Sequence, residues 1–243
     1  MKDLAKLATV LLLIVAGPAI WLLSKNSPQA NAVHSRELAT QRLAEYLAQT
    51  LPGQRALIVS NPFAQSRGGM ILEQEEAEVR GLRHGFAGQI EIEAVVVPQL
   101  KPAALQSPQS FELPPDATTP LSFMIEEGAF DQLAGQHSAC KLIVSLIGLP
   151  ADLNRVELWL PANPVKFGLL LPDLRVVGDK EAVRRAVKSG KIAAMICQRP
   201  DASATDSAKT QFDRQFLLVN AENIDDVLGR FPKLCGAGLR TTP

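Results

Sequence analysis

The chain has 243 residues, of which 47% are hydrophobic, which is enough to bury one large core. Lys and Arg together number 25, as do Asp and Glu, and the chain contains one Tyr and two Trp. A nucleic-acid-binding surface needs a basic stripe with aromatic side chains between the charges, and this composition offers neither. The composition therefore excludes a wholly disordered chain and argues against a nucleic-acid partner.

The N-terminal segment 7–23 is apolar and uncharged, with lysines on both sides. As a helix it is about 25 Å long, close to the thickness of bilayer hydrocarbon. We therefore predict that residues 1–32 hold a transmembrane anchor whose partner is the lipid bilayer, and that the bulk of the chain is periplasmic or otherwise extracytoplasmic. The alternative is a signal peptide cleaved after Ala32, because residues 30–32 form an A-x-A site.

Residues 33–54 show the spacing of an amphipathic helix. Ala39, Leu43 and Leu47 recur on one side, and Pro52-Gly53 ends the run. We expect this helix to connect the leader to a single exported domain over residues 55–243.

In residues 55–243, short apolar runs alternate with helical patterns. This alternation predicts an α/β fold with a doubly wound, largely parallel sheet of about six strands. The helix predicted at 73–86 begins with several Glu and ends with Arg and His, which would complement the helix dipole. The segment 98–120 contains six prolines and is predicted to be a long surface loop. Strands are predicted at 56–61, 90–97, 141–148, 166–173, 191–198 and 215–220, and helices at 73–86, 126–136, 151–160, 179–189 and 221–231.

In such a sheet, ligands bind beyond the carboxyl ends of the strands. This rule gives a candidate ligand site. Each member also has a structural interpretation: Asn61 suits a turn, Asn220 suits a helix cap, and Asp173 is either a turn residue or an acid-base group. The candidates at predicted strand ends are Ser60, Asn61, Gly148, Asp173, Gln198, Arg199 and Asn220.

The loop after the first strand contains Arg67, Gly68 and Gly69. Its backbone N–H groups could cradle an anion, although the glycines also suit a flexible turn. The phosphate-binding patterns G-x-G-x-x-G and G-x-x-x-x-G-K-[ST] are both absent, so no nucleotide or other cofactor is predicted.

Catalytic and metal-binding templates are missing from the sequence. The motifs G-x-S-x-G and H-E-x-x-H are absent, and the three histidines lie in different predicted elements. His137 and Cys140 form an H-x-x-C pair, but no second pair stands at a matching spacing, so no metal site is predicted. If the chain forms a disulfide, the favoured pair is Cys140 with Cys235.

The stretch RALIVSNPF, followed by EAEVRGLRHGF and IEIEAVVV, resembles the opening of type 1 periplasmic solute-binding proteins. The later stretches FDQLAGQHSACKLIVSLIGLP and KSGKIAAMICQRP are similar to further units of that family. The resemblance implies one lobe of such a protein, with the end of the first strand, Ser60 and Asn61, at the ligand cleft. The family has two lobes, and the domain after the connecting helix is long enough for one.

The anchor and the missing catalytic motifs lead to a first functional hypothesis. It is a membrane-anchored, non-catalytic envelope protein, acting as a binding module or as an accessory subunit with an envelope protein partner. One alternative is a single-lobe periplasmic solute-binding protein. Another is a membrane-anchored hydrolase that uses Asp173 with a Ser from a strand-end loop.

Overall fold

The structure is a computed structural model. It describes residues 28–64, 68–107, 111–113, 119–201, 211–232 and 234–235. The anchor predicted at 7–23 lies outside these residues. In the part that is described, no helix combines the length and the hydropathy that a membrane span requires.

Six strands form one sheet in the order β2-β1-β3-β4-β5-β6. Neighbouring strands from β2 through β5 run parallel, and β6 runs antiparallel to β5. The prediction of an α/β fold with a largely parallel sheet of six strands is confirmed. The strands are β1 (Arg55–Val59), β2 (Glu91–Val96), β3 (Leu142–Ser145), β4 (Lys166–Leu170), β5 (Ile192–Gln198) and β6 (Phe216–Asn220).

Helices cover both faces of the sheet. The helix predicted at 151–160 is instead two 3₁₀ turns, where the Asp131 carboxylate accepts hydrogen bonds from the backbone N–H groups of Glu157 and Leu158 at 2.8 and 3.0 Å. The helices are α1 (Pro28–Thr50), α2 (Gly69–Phe86), α3 (Pro102–Gln106), α4 (Pro120–Met124), α5 (Ala129–Gln136), α6 (Lys180–Lys188), α7 (Gln211–Gln215) and α8 (Ile224–Arg230), with 3₁₀ turns at Leu153–Arg155, Glu157–Trp159 and Leu174–Val176.

The central strands are buried on both sides, as parallel strands covered by helices must be. Along β1, Ala56 and Ile58 belong to the apolar layer beneath α1 and α2. Leu57 and Val59 belong to the opposite layer, which includes residues of α5, α6 and α8. The alternation of side chains along the strand thus divides the core into two layers.

Helix α2 begins at Gly69, four residues before the predicted start. No acidic residue lies in its first turn. The predicted match between the Glu-rich stretch and the helix dipole is therefore wrong, because that match is confined to the first turn. The glutamates of this helix serve other contacts, described below.

Helix α1, predicted as a connection, packs on the sheet and on α2. Its buried side chains include Leu43 and Leu47. A Cβ atom added at Gly81 of α2 would lie 2.3 Å from the Glu37 carbonyl oxygen, and one at Gly85 would lie 2.3 Å from that of Gln41. The two glycines, four residues apart, therefore allow the helix backbones to approach closely.

The proline-rich segment 98–120 is held at its base. Leu100 forms an isolated antiparallel bridge with Ile125, and both side chains are buried. Ala104 of α3 is buried as well. The segment predicted as a long surface loop thus contains a short helix and a buried bridge. Residues 108–110 and 114–118 lie outside the described part, and there the loop stays a prediction.

The favoured disulfide between Cys140 and Cys235 is not formed. All three cysteines are free and buried. Cys140 precedes β3, and its thiol donates a hydrogen bond to the Glu93 carboxylate. Cys235 instead lies near Cys197 of β5, where its charge contributes to raising the pKa of the Cys197 thiol. The pairing fails because these two cysteines belong to different neighbourhoods of the fold.

Candidate functional site

A cleft of about 420 Å³ lies at the carboxyl edge of the sheet. It extends across the ends of β1, β3, β4 and β5, and α1 and α2 contribute one wall. This is the edge at which doubly wound sheets bind ligands. Its lining residues are Arg36, Asn61, Ile71, Gln74, Glu75, Glu78, Thr119, Pro120, Leu121, Leu146, Ile147, Leu170, Leu171, Pro172, Leu174, Cys197, Gln198 and Leu234.

Asn61 and Gln198 place amide side chains at the ends of β1 and β5, the two outermost strands of this cleft. Asn61 follows β1, where its Oδ1 accepts a hydrogen bond from the Phe63 N–H at 2.9 Å. This bond leaves the donor end of the amide available. Gln198 is the last residue of β5 and is exposed.

Glu75 lies on α2, and Ser60 positions it. The Ser60 hydroxyl is fully buried behind the cleft and donates to Glu75 Oε1 at 2.5 Å. Ser60 itself is not one of the lining residues. It acts through the carboxylate that it orients.

Glu78 and Arg36 form an ion pair in the same wall, with 3.0 Å between Glu78 Oε1 and Arg36 Nη1. Glu78 is 7% exposed. Burial raises the pKa of Glu78 to about 7, although Arg36 opposes the rise, and Glu75 adds to it by charge repulsion. The cleft therefore contains a carboxyl group that titrates near neutral pH.

The opposite wall of the cleft is apolar and comes mainly from the ends of β3 and β4. Leu171 has a φ of +46°, a conformation that branched side chains seldom adopt. Its N–H is held by the Ile196 carbonyl at 2.8 Å. The apolar wall includes Leu146, Ile147, Leu170, Leu171, Pro172 and Leu174.

Gly148 and Asp173 have structural roles near the cleft. The Gly148 carbonyl accepts a hydrogen bond from the Ser145 hydroxyl, and its φ of +79° suits glycine. Asp173 caps a 3₁₀ turn through the Arg175 N–H and pairs with the Arg175 guanidinium at 2.6 Å. Neither residue lines the cleft. The contacts of Asp173 with Arg175 are those of a residue that stabilises a turn.

Asn220 lies at the other edge of the sheet, contrary to the prediction. It pairs with Ala194, near the start of β5, because β6 runs antiparallel to that strand. Its Oδ1 accepts hydrogen bonds from the N–H groups of Glu222 and Asn223. The antiparallel direction of β6 thus removes Asn220 from the cleft.

Arg199 comes directly after β5 but does not line the cleft. It is 9% exposed, its Nη1 lies 3.5 Å from Asp201 Oδ1, and its Nε has no partner within the described residues.

The predicted anion loop is only partly visible. Gly68 directly precedes α2 and Gly69 is its first residue, both with a φ of +57°, and Arg67 lies outside the described residues. The anion loop therefore stays a prediction.

The H-x-x-C pair is explained by hydrogen bonding. Glu93 Oε1 lies 2.9 Å from His137 Nδ1, and the same carboxylate also accepts from the Cys140 thiol. Both bonds lower the pKa of Glu93, and burial together with that carboxylate raises the pKa of Cys140 to about 12. Across the described ranges, no group of three or more His, Cys, Asp or Glu is arranged to hold a metal ion.

Sequence reasoning missed the charged wall formed by Arg36, Glu75 and Glu78. One signal was available. Glu78 stands three, four and seven residues before Gly81, Leu82 and Gly85, all on the buried side of α2, so helical spacing already put a carboxyl group on an apolar face. The pairing with Arg36 crosses 42 residues of chain and had no local signal.

No family model matches the chain, and no curated protein matches it. Among solved structures, a periplasmic solute-binding protein of an ABC transporter from Actinobacillus succinogenes, with bound D-allose, is 17% identical, with a TM-score of 0.45, covering 79% of this chain and 62% of that one. A carbohydrate transporter from Acidothermus cellulolyticus, in complex with myo-inositol, is 12% identical, with a TM-score of 0.48, covering 82% and 62%. A sugar-binding protein of a sugar ABC transporter from Bacillus halodurans is 14% identical, with a TM-score of 0.45, covering 79% and 64%.

By name, two of these structures are a solute-binding and a sugar-binding protein of ABC transporters, and the third is a carbohydrate transporter. They belong to the class that the sequence pattern resembles, so the predicted resemblance is confirmed. The chain spans less than two thirds of the length of each of the three. At these identities, the likeness concerns the fold alone.

Proposed function

We propose that this chain is a single-lobe, extracytoplasmic solute-binding domain that holds a small hydroxylated ligand in the carboxyl-edge cleft. The observation that carries the proposal is the cleft itself, with polar side chains on one side and an apolar wall on the other. Its volume of about 420 Å³ is of the size that small-molecule sites have. This function, considered above as an alternative, has more support than an accessory subunit without a ligand.

The charges of the cleft select the class of ligand. Glu75 and Glu78 supply two carboxyl groups, while the guanidinium of Arg36 is already paired with Glu78. An anion would therefore meet repulsion, whereas hydroxyl groups can donate to carboxylate oxygens and accept from the amides of Asn61 and Gln198. A neutral polyol or monosaccharide fits these groups, and the apolar wall fits the C–H faces of a sugar ring.

The proposal is tested by titration calorimetry and thermal shift with D-allose, myo-inositol and glycerol, with phosphate and acetate as anionic comparisons. We expect a polyol to bind and to raise the unfolding temperature through mass action, and the anions to do neither. Asn61→Ala and Gln198→Ala should each weaken the polyol about three- to tenfold, since a neutral hydrogen bond is worth about 0.5–1.5 kcal/mol.

Gln132→Ala is the matched control, because Gln132 is an exposed amide on α5, away from the cleft. It should leave the affinity unchanged. Binding that is equally weakened by all three variants, or tighter binding of an anion than of any polyol, would argue against the proposal.

The tether to the membrane is part of the same proposal. An anchor at residues 7–23 would hold the domain at the outer face of a bilayer, leaving the cleft open to diffusing solutes and to an envelope partner. Cleavage after Ala32 would remove the first turn of α1 together with Gln29, whose amide hydrogen-bonds to Glu73 at 3.2 Å.

Fractionation tests the anchor. We expect the chain in the membrane fraction after alkaline washing, with an intact mass that includes the leader. A soluble chain that begins at Val33 would instead show cleavage and secretion.

A further inference from the structure

A second cavity, of about 490 Å³, lies at the opposite edge of the sheet. Two of its lining residues show this position, since Lys166 is the first residue of β4 and Lys191 directly precedes β5. Helix α6 forms one side, and the segment from Trp159 to Val165 forms the other. The carboxyl-edge cleft shares none of these residues.

One lysine holds the segment that forms the cavity wall. Lys191 Nζ donates to the carbonyl oxygens of Leu158, Asn163 and Val165 at 3.1, 2.7 and 3.1 Å. Burial lowers the pKa of Lys191. With all three N–H donors engaged, this side chain builds the wall and is not available to a ligand.

An indole ring gives the cavity a flat apolar surface. The Trp159 ring packs against Phe167, with 5.6 Å between the ring centroids. Its anchoring against a fully buried ring fixes the orientation of the indole. Other apolar side chains around the cavity are those of Pro161, Pro164, Val177, Ala182 and Ala186.

Besides Lys191, the cavity wall contains two cations, Lys166 and Arg185. Among the described residues, Lys166 and Arg185 form no side-chain hydrogen bond or ion pair. On the same helix as Arg185, by contrast, Arg184 pairs with Glu181 and Asp225, and Lys188 also pairs with Asp225.

No carboxylate counters those two charges from the cavity wall. The described lining residues include no Asp or Glu. The C-terminal end of α6 contributes about half a negative charge through its carbonyls. Two whole positive charges outweigh it, so the cavity is electropositive.

We propose that this cavity binds a small organic anion with a flat apolar body, such as an aromatic carboxylate. Arg185 and Lys166 bind the carboxylate, and the indole of Trp159 lies against the ring. The two cations complement the carboxylate of such a ligand, and the indole complements its ring. The site is separate from the carboxyl-edge cleft and does not depend on what binds there.

The test uses the full-length chain in detergent and ligand-observed ¹⁹F NMR with 4-fluorobenzoate. The neutral analogue 4-fluorobenzyl alcohol has nearly the same shape, and detergent without protein gives the blank. At about 1 mM ligand, we expect broadening of the benzoate signal and little effect on the alcohol. Equal broadening of the two, or none of the benzoate, would overturn the proposal.

Variants locate the binding. Arg185→Gln should weaken 4-fluorobenzoate about tenfold, since a charge-assisted hydrogen bond is lost, and Lys166→Gln should act in the same direction. Arg184→Gln removes a cation from the same helix that is already paired with carboxylates, so it should change nothing. Unchanged affinity in Arg185→Gln, or an equal loss in Arg184→Gln, would refute the assignment, and circular dichroism verifies the fold of each variant.

Discussion

Glu78 is a buried carboxyl group that must exchange water for a single guanidinium partner. Its pKa is about 4.5 in the unfolded chain and about 7 in the folded one. Between these values, the folded state holds a proton that the unfolded state has lost. The contribution of Glu78 to the free energy of unfolding is therefore greatest below pH 4.5. It falls as the pH rises towards 7 and does not change further above that value.

The difference in protonation of Glu78 between the folded and unfolded chain predicts a loss of about 2–3 kcal/mol in the free energy of unfolding between pH 5 and pH 8. Urea unfolding at a series of pH values measures it. In Glu78→Gln, the pH dependence in this window should largely disappear, because the amide does not titrate. Glu37, whose pKa is lowered by its hydrogen bond to Arg80, changes charge below this window and does not obscure the result. An unchanged pH dependence in the variant would contradict the assignment.

The cysteines provide a second prediction at the scale of residues. Burial raises the pKa of Cys140 and of Cys197 to about 12, and Cys235 is shifted in the same direction. Because the thiolate is the reactive form, none of the three should react rapidly with an aromatic disulfide reagent in the folded chain at pH 8. All three should react in denaturant. A count below three after unfolding would reveal a disulfide that the structure does not contain.

At the scale of elements, the crossing of α1 and α2 depends on the absence of side chains at two positions. A Cβ atom at Gly81 would lie 2.2 Å from Thr40 Oγ1 as well as against backbone. A backbone oxygen cannot move aside as the end of a long side chain can. The helices would therefore have to separate, at the expense of the apolar layer between them and the sheet.

We expect Gly81→Ala and Gly85→Ala each to lower the free energy of unfolding by about 1–3 kcal/mol, the usual range for overpacking. Gly135→Ala in α5 is the control, since a Cβ atom there would meet nothing within 4 Å. That change should be neutral or stabilising by up to about 1 kcal/mol, from the better helix propensity of Ala. Similar effects at all three glycines would mean that propensity, not close packing, governs these sites.

For the molecule as a whole, α1 is a structural part of the domain. Leu47 packs over Gly168 of β4, where a Cβ atom would lie 2.7 Å from Leu47 Cδ1. Helix α1 packs against β4 and β5, so without it one face of the sheet would expose Leu170, Ala194 and Ile196. An apolar surface of that kind is a site of association and aggregation.

A chain that begins at residue 28 should therefore fold as a soluble unit, whereas one that begins at residue 55 should not. Far-ultraviolet circular dichroism and size-exclusion chromatography of the two fragments compare them. Within the longer fragment, Leu47→Ala should cost about 2–5 kcal/mol, the usual range for a buried Leu. A cooperative unfolding transition in the shorter fragment would show that α1 is only a connection.

Local patterns in the sequence predicted most of the elements, because strands buried on both faces are continuous apolar runs and helices repeat their apolar side chains. The ends of β1 and β5 were placed well enough to find Asn61 and Gln198. Asn220 failed for a non-local reason, since a strand's direction in a sheet depends on the path of the chain that precedes it. Glu75 and Arg36 were missed because their role comes from contacts with Ser60 and Glu78.

The amino-acid sequence by itself determined the class of fold and the edge of the sheet at which to look for a ligand, because both follow from the burial of short apolar segments. Only the tertiary structure decided which side chains meet there. It brought α1 over the sheet, reversed β6, and placed Lys166 and Arg185, which have no partner among the described residues, in one cavity wall with Trp159. Such pairings are set by the packing of segments that lie far apart in the chain, and local periodicity carries no information about them.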